Sequence, residues 1–86
     1  MKHASAATLT KYPALLAPLR NSTALTERTP GSFYRKSSAF LHFHEDPAGL
    51  FADVKLNGRD FERFRVSTKV EQALFLKAVH MALAIK

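Results

Sequence analysis

At 86 residues, 47% of them hydrophobic and 10% aromatic, the chain is long enough for one small domain and too short for two. It has no cysteine, which excludes disulfides and thiolate metal sites. A net charge of +6 favours encounter with nucleic acid, anionic lipid or acidic partners without selecting among them.

Residues 1–31 read as a helical and loop segment. In "MKHASAATLTKYPALLAPLR" the apolar run is broken by Thr8, Thr10, Lys11 and Pro13, so no signal-peptide core forms. No stretch of the chain approaches the ~20 apolar residues that cross a bilayer. The expectation is a cytoplasmic protein that does not enter the membrane. Leu9, Leu15, Leu16 and Leu19 can share a side, but Pro13 and Pro18 each remove an amide donor. Two short helices, near 4–11 and 13–20, therefore fit better than one rod. "NSTALTERTPG" (21–31) carries the residues of turns and loops.

From 32 to 67 the period changes to two. "SFYRK", "AFLHFHE", "LFADVKL" and "FERFRVS" are short runs rich in aromatic and branched residues, separated by turn chemistry. In the second run Ala39, Leu41 and Phe43 share one face; in the third, Leu50, Ala52, Val54 and Leu56 do. Opposed residues of an antiparallel pair point the same way, so matching these sets requires Phe43 opposite Ala52 and Leu41 opposite Val54. "DPAG" (46–49) is then the turn, with Gly49 at the position needing a left-handed backbone. At "NGR" a two-residue turn would place Phe64 and Val66 on the polar side. A longer loop pairs Ala52 with Phe64 and Leu50 with Val66, burying two side chains worth about 1.5–3 kcal/mol each.

Residues 68–86, "TKVEQALFLKAVHMALAIK", read as a helix starting at a capping box of Thr68 and Glu71. Val70, Leu74, Phe75, Ala78, Val79, Met81, Ala82, Leu83 and Ile85 cover more of its circumference than one sheet face buries. The surplus is covered either by the N-terminal segment or by a second copy of the chain. The second option predicts a homodimer with Leu76, Val79 and Leu83 at its interface.

The fold expected is α+β: an antiparallel meander of three to four strands with N- and C-terminal helices on the Leu41/Phe43/Ala52/Val54/Phe64/Val66 face. The opposite face then displays Phe40, His42, His44, Phe51, Asp53, Lys55, Phe61, Arg63 and Arg65, with a row of His42, Asp53 and Arg63 across its middle. As a binding face, phenylalanines interleaved with cations offer stacking and phosphate neutralisation of the kind that holds single-stranded nucleic acid. As a metal site, His42, His44 and Asp53 supply two imidazoles and a carboxylate. As a surface ladder, Asp53 merely pairs across the strands with Arg63 and His42. Catalysis by a His42–Asp53 pair would need a pocket. No Gly-rich phosphate loop, GxSxG motif or nucleophilic cysteine is present, so no bound cofactor is expected, and a metal protein or small enzyme using His42, His44 and Asp53 stays as the alternative reading. The leading expectation is a non-enzymatic binding module.

Pro30-Gly31 ahead of the first strand, the "FADVKL" strand and the step from Val66 into "STKVEQ" resemble small bacterial domains of the YjbR type, related in fold to frataxin. The similarity spans about 28–80. It implies helices sandwiched on one sheet face and a nucleic-acid association. The later strands and tryptophan-bearing segment of that group, and the acidic ridge of frataxin, have no counterpart here. No functional residue carries over.

Overall fold

The computed structural model describes residues 1–84; Ile85, expected on the last helix, and Lys86 lie outside the described residues. The fold is α+β. Strand β1 (Lys2–His3) leads into helices α1 (Ala6–Leu9) and α2 (Pro13–Arg20). Strands β2 (Thr26–Thr29), β3 (Ser32–Arg35), β4 (Ser38–Asp46), β5 (Gly49–Val54) and β6 (Glu62–Arg65) follow, and α3 (Lys69–Ala84) closes the chain. The strands form one antiparallel sheet in the order β2-β3-β4-β5-β6, while β1 pairs with β4. Among the described residues no helix is long and apolar enough to cross a membrane.

Both hairpins adopt the registers that burial demands. Phe43 lies opposite Ala52 and Leu41 opposite Val54. Ala52 lies opposite Phe64, and the Val66 amide donates to the Leu50 carbonyl. The second loop is longer than the pattern required. Val54 pairs with Glu62, and residues 55–61 form a turn in which Asn57 Oδ1 accepts from the amides of Arg59 and Asp60.

The sheet extends past the three to four strands expected because β1 and β2 lie within the N-terminal segment. "TERT" has no apolar alternation, and as an edge strand it needs none: hydrogen bonds to β3 on one side are enough. Glu27 anchors it, accepting from Arg20 Nε at 2.8 Å, Arg20 Nη2 at 3.0 Å and the Gly31 amide at 2.9 Å.

The helices pack where the inner face requires them. Leu9, Leu15, Leu16 and Leu19 join Phe33, Leu41, Phe43, Leu50, Ala52, Val54 and Val66 in one buried cluster, with Phe64 packed at its margin. Pro13 sits at the first turn of α2, where its missing amide costs nothing. The capping box forms in both directions: the Glu71 amide donates to Thr68 Oγ1, and the Thr68 amide to Glu71 Oε1. On α3, Phe75, Val79 and Ala82 are buried, and Phe75 lies against Phe43 and Phe64. The residues expected at a dimer interface face α2. Val79 is in the core, and Leu76 and Leu83 pack against it, lining a groove with Pro18 and Leu19. The large apolar side chains that α3 leaves exposed are Val70, Leu74 and Met81.

Candidate metal centre on the outer sheet face

The outer face is built from the alternate residues of β4, β5 and β6. His42 lies opposite Asp53, and Asp53 opposite Arg63, so the polar row forms as the alternation dictates. Within it the shortest imidazole contact to the carboxylate comes from the diagonal residue. His44 Nε2 lies 3.2 Å from Asp53 Oδ2 and 2.9 Å from His42 Nδ1. Arg63 grips the same carboxylate in a fork, Nε to Oδ1 at 2.8 Å and Nη2 to Oδ2 at 2.9 Å. A ligand atom from each of His42, His44 and Asp53 lies within 4.8 Å of the others.

The hydrogen-bonding arithmetic of this cluster is restrictive. A carboxylate only accepts, and a neutral imidazole has one donor and one acceptor nitrogen. For His44 Nε2 to face both Asp53 Oδ2 and His42 Nδ1 favourably, it must carry the hydrogen and His42 Nδ1 must be bare. One donor, His44 Nε2, and two acceptors, His42 Nδ1 and Asp53 Oδ2, therefore share a single proton.

Electrostatics keep both rings neutral around neutral pH. Burial pushes the His42 pKa below its ordinary value of 6.5, and His44 pushes the same way, against the pull of Asp53. Burial likewise lowers His44, opposed by the Asp53 charge and reinforced by His3 and Arg63. The Arg63 fork holds the Asp53 carboxyl below the usual carboxylate range despite its burial. Two neutral imidazoles and an ionised carboxylate are the protonation states that bind a cation.

The remaining face residues take differing roles. Phe61 is exposed and flanks the cluster, its ring centroid 4.7 Å from that of His42, with Lys55 Nζ 4.9 Å from its own centroid. Phe51 lies opposite His44 and is half-buried; Arg65 lies opposite Phe51 and pairs with Glu71 at 2.9 Å. Phe40 departs from the expected face. The register of β4 against β3 skips a residue, Leu41 pairing with Phe33 and Ala39 with Tyr34. Phe40 is the extra residue of that bulge and is buried with the core.

One member escaped the sequence reading. Strand β1 sets His3 beside His44 in the sheet, and the ring of His3 stands 5.0 Å from that of His44 and 5.8 Å from that of His42, centroid to centroid. A two-residue strand has no period to detect; its only signal was a third histidine in a chain that has four. Compared with family models, curated proteins and solved structures, the chain matches none.

Proposed function

We propose that this chain is a small binding module whose working surface is the outer sheet face, and that its ligand is a divalent transition-metal ion held by His42, His44 and Asp53. The observation that supports this reading most directly is the convergence of three metal-ligating atoms around one shared proton, with His42 Nδ1 and His44 Nε2 only 2.9 Å apart. An ion taking that place gains two imidazoles and a carboxylate, a donor set suited to zinc and its neighbours in the first row. Arg63 becomes the outer partner that orients the carboxylate, a role metal sites routinely assign to a hydrogen-bonded residue.

The same face is less suited to single-stranded nucleic acid. Arg63 is committed to Asp53, Arg65 to Glu71, and Phe40 is buried, which leaves Phe61 and Lys55 as the main stacking and charge elements. If two copies associate, the side chains available are Val70, Leu74 and Met81, since α2 already covers the Val79 side of α3.

Elemental analysis of the purified protein, followed by zinc titration calorimetry, tests the metal reading. One equivalent should bind the native chain, and His44→Ala and Asp53→Asn should each weaken binding at least tenfold while circular dichroism shows the fold retained. No binding by the native chain at millimolar zinc, or binding untouched by both substitutions, would overturn it.

A further inference from the structure

The geometry points to a fourth ligand: we infer that His3 is a third imidazole of the metal site, so that the N-terminal strand is a clasp the ion fixes to the sheet. This rests on the metal reading above and adds to it a residue 39 positions upstream and a conformational consequence.

The argument is one of spacing. An imidazole bound through nitrogen at ~2.0–2.1 Å has its ring centroid about 3.2 Å from the ion, so two such rings at the tetrahedral angle have centroids about 5 Å apart. The three rings here stand 4.9 Å (His42 to His44), 5.0 Å (His3 to His44) and 5.8 Å (His3 to His42) apart. The two distances to His44 match that size; the third is wider, and His3 has to turn inward to reach the ion, since among the described residues only His42, His44 and Asp53 already have ligand atoms within 4.8 Å of one another. Asp53 Oδ2 lies against His44 and offers the fourth position. Three imidazoles and one carboxylate complete a tetrahedron without borrowing from any other part of the chain.

The strands explain how His3 reaches this place. Pairing of β1 with β4 sets His3 beside His44 and Lys2 beside Glu45. The Ala4 amide donates to the Phe43 carbonyl at 3.0 Å, and Ala4 is buried. Lys2 Nζ lies 3.7 Å from Glu45 Oε1. These contacts fix the backbone of His3, while its exposed side chain can turn to present a nitrogen without disturbing the core.

The exchange balances. Zinc replaces the hydrogen bond between His44 and His42; His44 moves its proton from Nε2 to Nδ1 through water, and no proton is released. Asp53 keeps its bond to Arg63 through Oδ1. With zinc absent, β1 is a strand of only two residues, the kind of short element that frays first. With zinc present, His3 ties it to β4 and β5.

Cobalt(II) titration of the full chain, read by visible absorption, distinguishes the alternatives because a tetrahedral ion absorbs far more strongly than one with more ligands. The native chain should give an intense band at one equivalent, and hydrogen exchange at residues 2–4 should slow on adding zinc. His3→Ala and His3→Gln should weaken affinity at least tenfold, diminish the band and abolish the added protection, and His44→Ala should likewise weaken affinity at least tenfold. If His3→Ala matches the native chain in affinity and band, His3 is no ligand, and a loss confined to His44→Ala would leave the three-residue site standing. Metal retained by the double variant His42→Ala/His44→Ala would mean that His3 binds independently of the cluster and would also overturn the inference.

Discussion

Replacing Gly49 by valine should damage this fold far more than replacing Ala48 by valine in the same turn. Gly49 pairs with Asp46 across the Pro47–Ala48 turn and has a φ of +134°. A side chain there is strained at a cost of about 1–3 kcal/mol. Space is also lacking, since a Cβ on Gly49 would fall on Ser67 Oγ. That hydroxyl accepts from the Leu50 amide at 2.8 Å and donates to the Leu50 carbonyl at 3.1 Å, tying β5 to the junction of β6 and α3. Displacing it forfeits two hydrogen bonds worth about 0.5–1.5 kcal/mol each. Together these give about 2–6 kcal/mol, a large part of the margin of so small a domain. Ala48 is exposed in the same turn, so Ala48→Val should stay within about 0.5 kcal/mol of the native chain. Urea unfolding reads the difference: at a slope of about 1 kcal/mol/M, Gly49→Val should lower the midpoint by about 2 M or more. Ser67→Ala should cost less in the Gly49→Val background than in the native one, because the displaced hydroxyl is already lost there. Equal midpoints for Gly49→Val and Ala48→Val would refute both the backbone and the steric arguments.

Two further substitutions probe the packing and the charges. Val79→Glu buries an unpaired carboxylate beneath α2 and should cost about 3–5 kcal/mol, whereas Leu74→Glu on the exposed side of α3 should be nearly neutral; similar urea midpoints for the two would mean that α2 does not cover this face. Burial opposes the Glu27 charge, but the Arg20 fork and the Gly31 amide outweigh it and lower its pKa from 4.5. A carboxylate depressed on folding stabilises above its unfolded value and loses that contribution as pH falls, so Glu27→Gln should destabilise at neutral pH and progressively less below pH 4.5. A penalty for Glu27→Gln that stays constant through the acid range would contradict this.

How much of this was legible in the sequence depended on whether a residue had to choose a face. Leu41, Phe43, Ala52, Val54, Phe64 and Val66 are either buried or packed against the core, and each would be misplaced by a one-residue slip. Their alternation therefore carried the registers of β4, β5 and β6 with no structure in view. Thr68 and Glu71 were equally readable, since a capping box is defined by its spacing. The coverage of α3 was not. The excess of apolar residues on that helix was visible, but whether α2 or another chain would meet Leu76, Val79 and Leu83 depended on where the segment broken at Pro13 would dock. Phe40 was misplaced because alternation assumes an unbroken pleat. The bulge that lets β4 skip a residue against β3 has no marker in "SAFLHF".

For the site, the sequence supplied the face and structure supplied the contacts. His42, Asp53 and Arg63 form a row because side chains at equal height on neighbouring strands must, yet it is His44 that closes on the carboxylate, through a rotamer that no spacing rule determines. The recruitment of His3 has a cause that begins in the sequence. Strand β4 spans nine residues and β3 only four, and the last pair between them joins His42 to Ser32. Beyond that point the edge of β4 at His44 and Glu45 has backbone groups with no partner from β3. Unpaired edges are filled or shielded, and β1 fills this one. The mismatch between "SFYRK" and "AFLHFHE" thus left an edge of β4 open to a second partner. Because β1 pairs with β4 at His44, whatever residue filled that place was bound to stand beside the cluster.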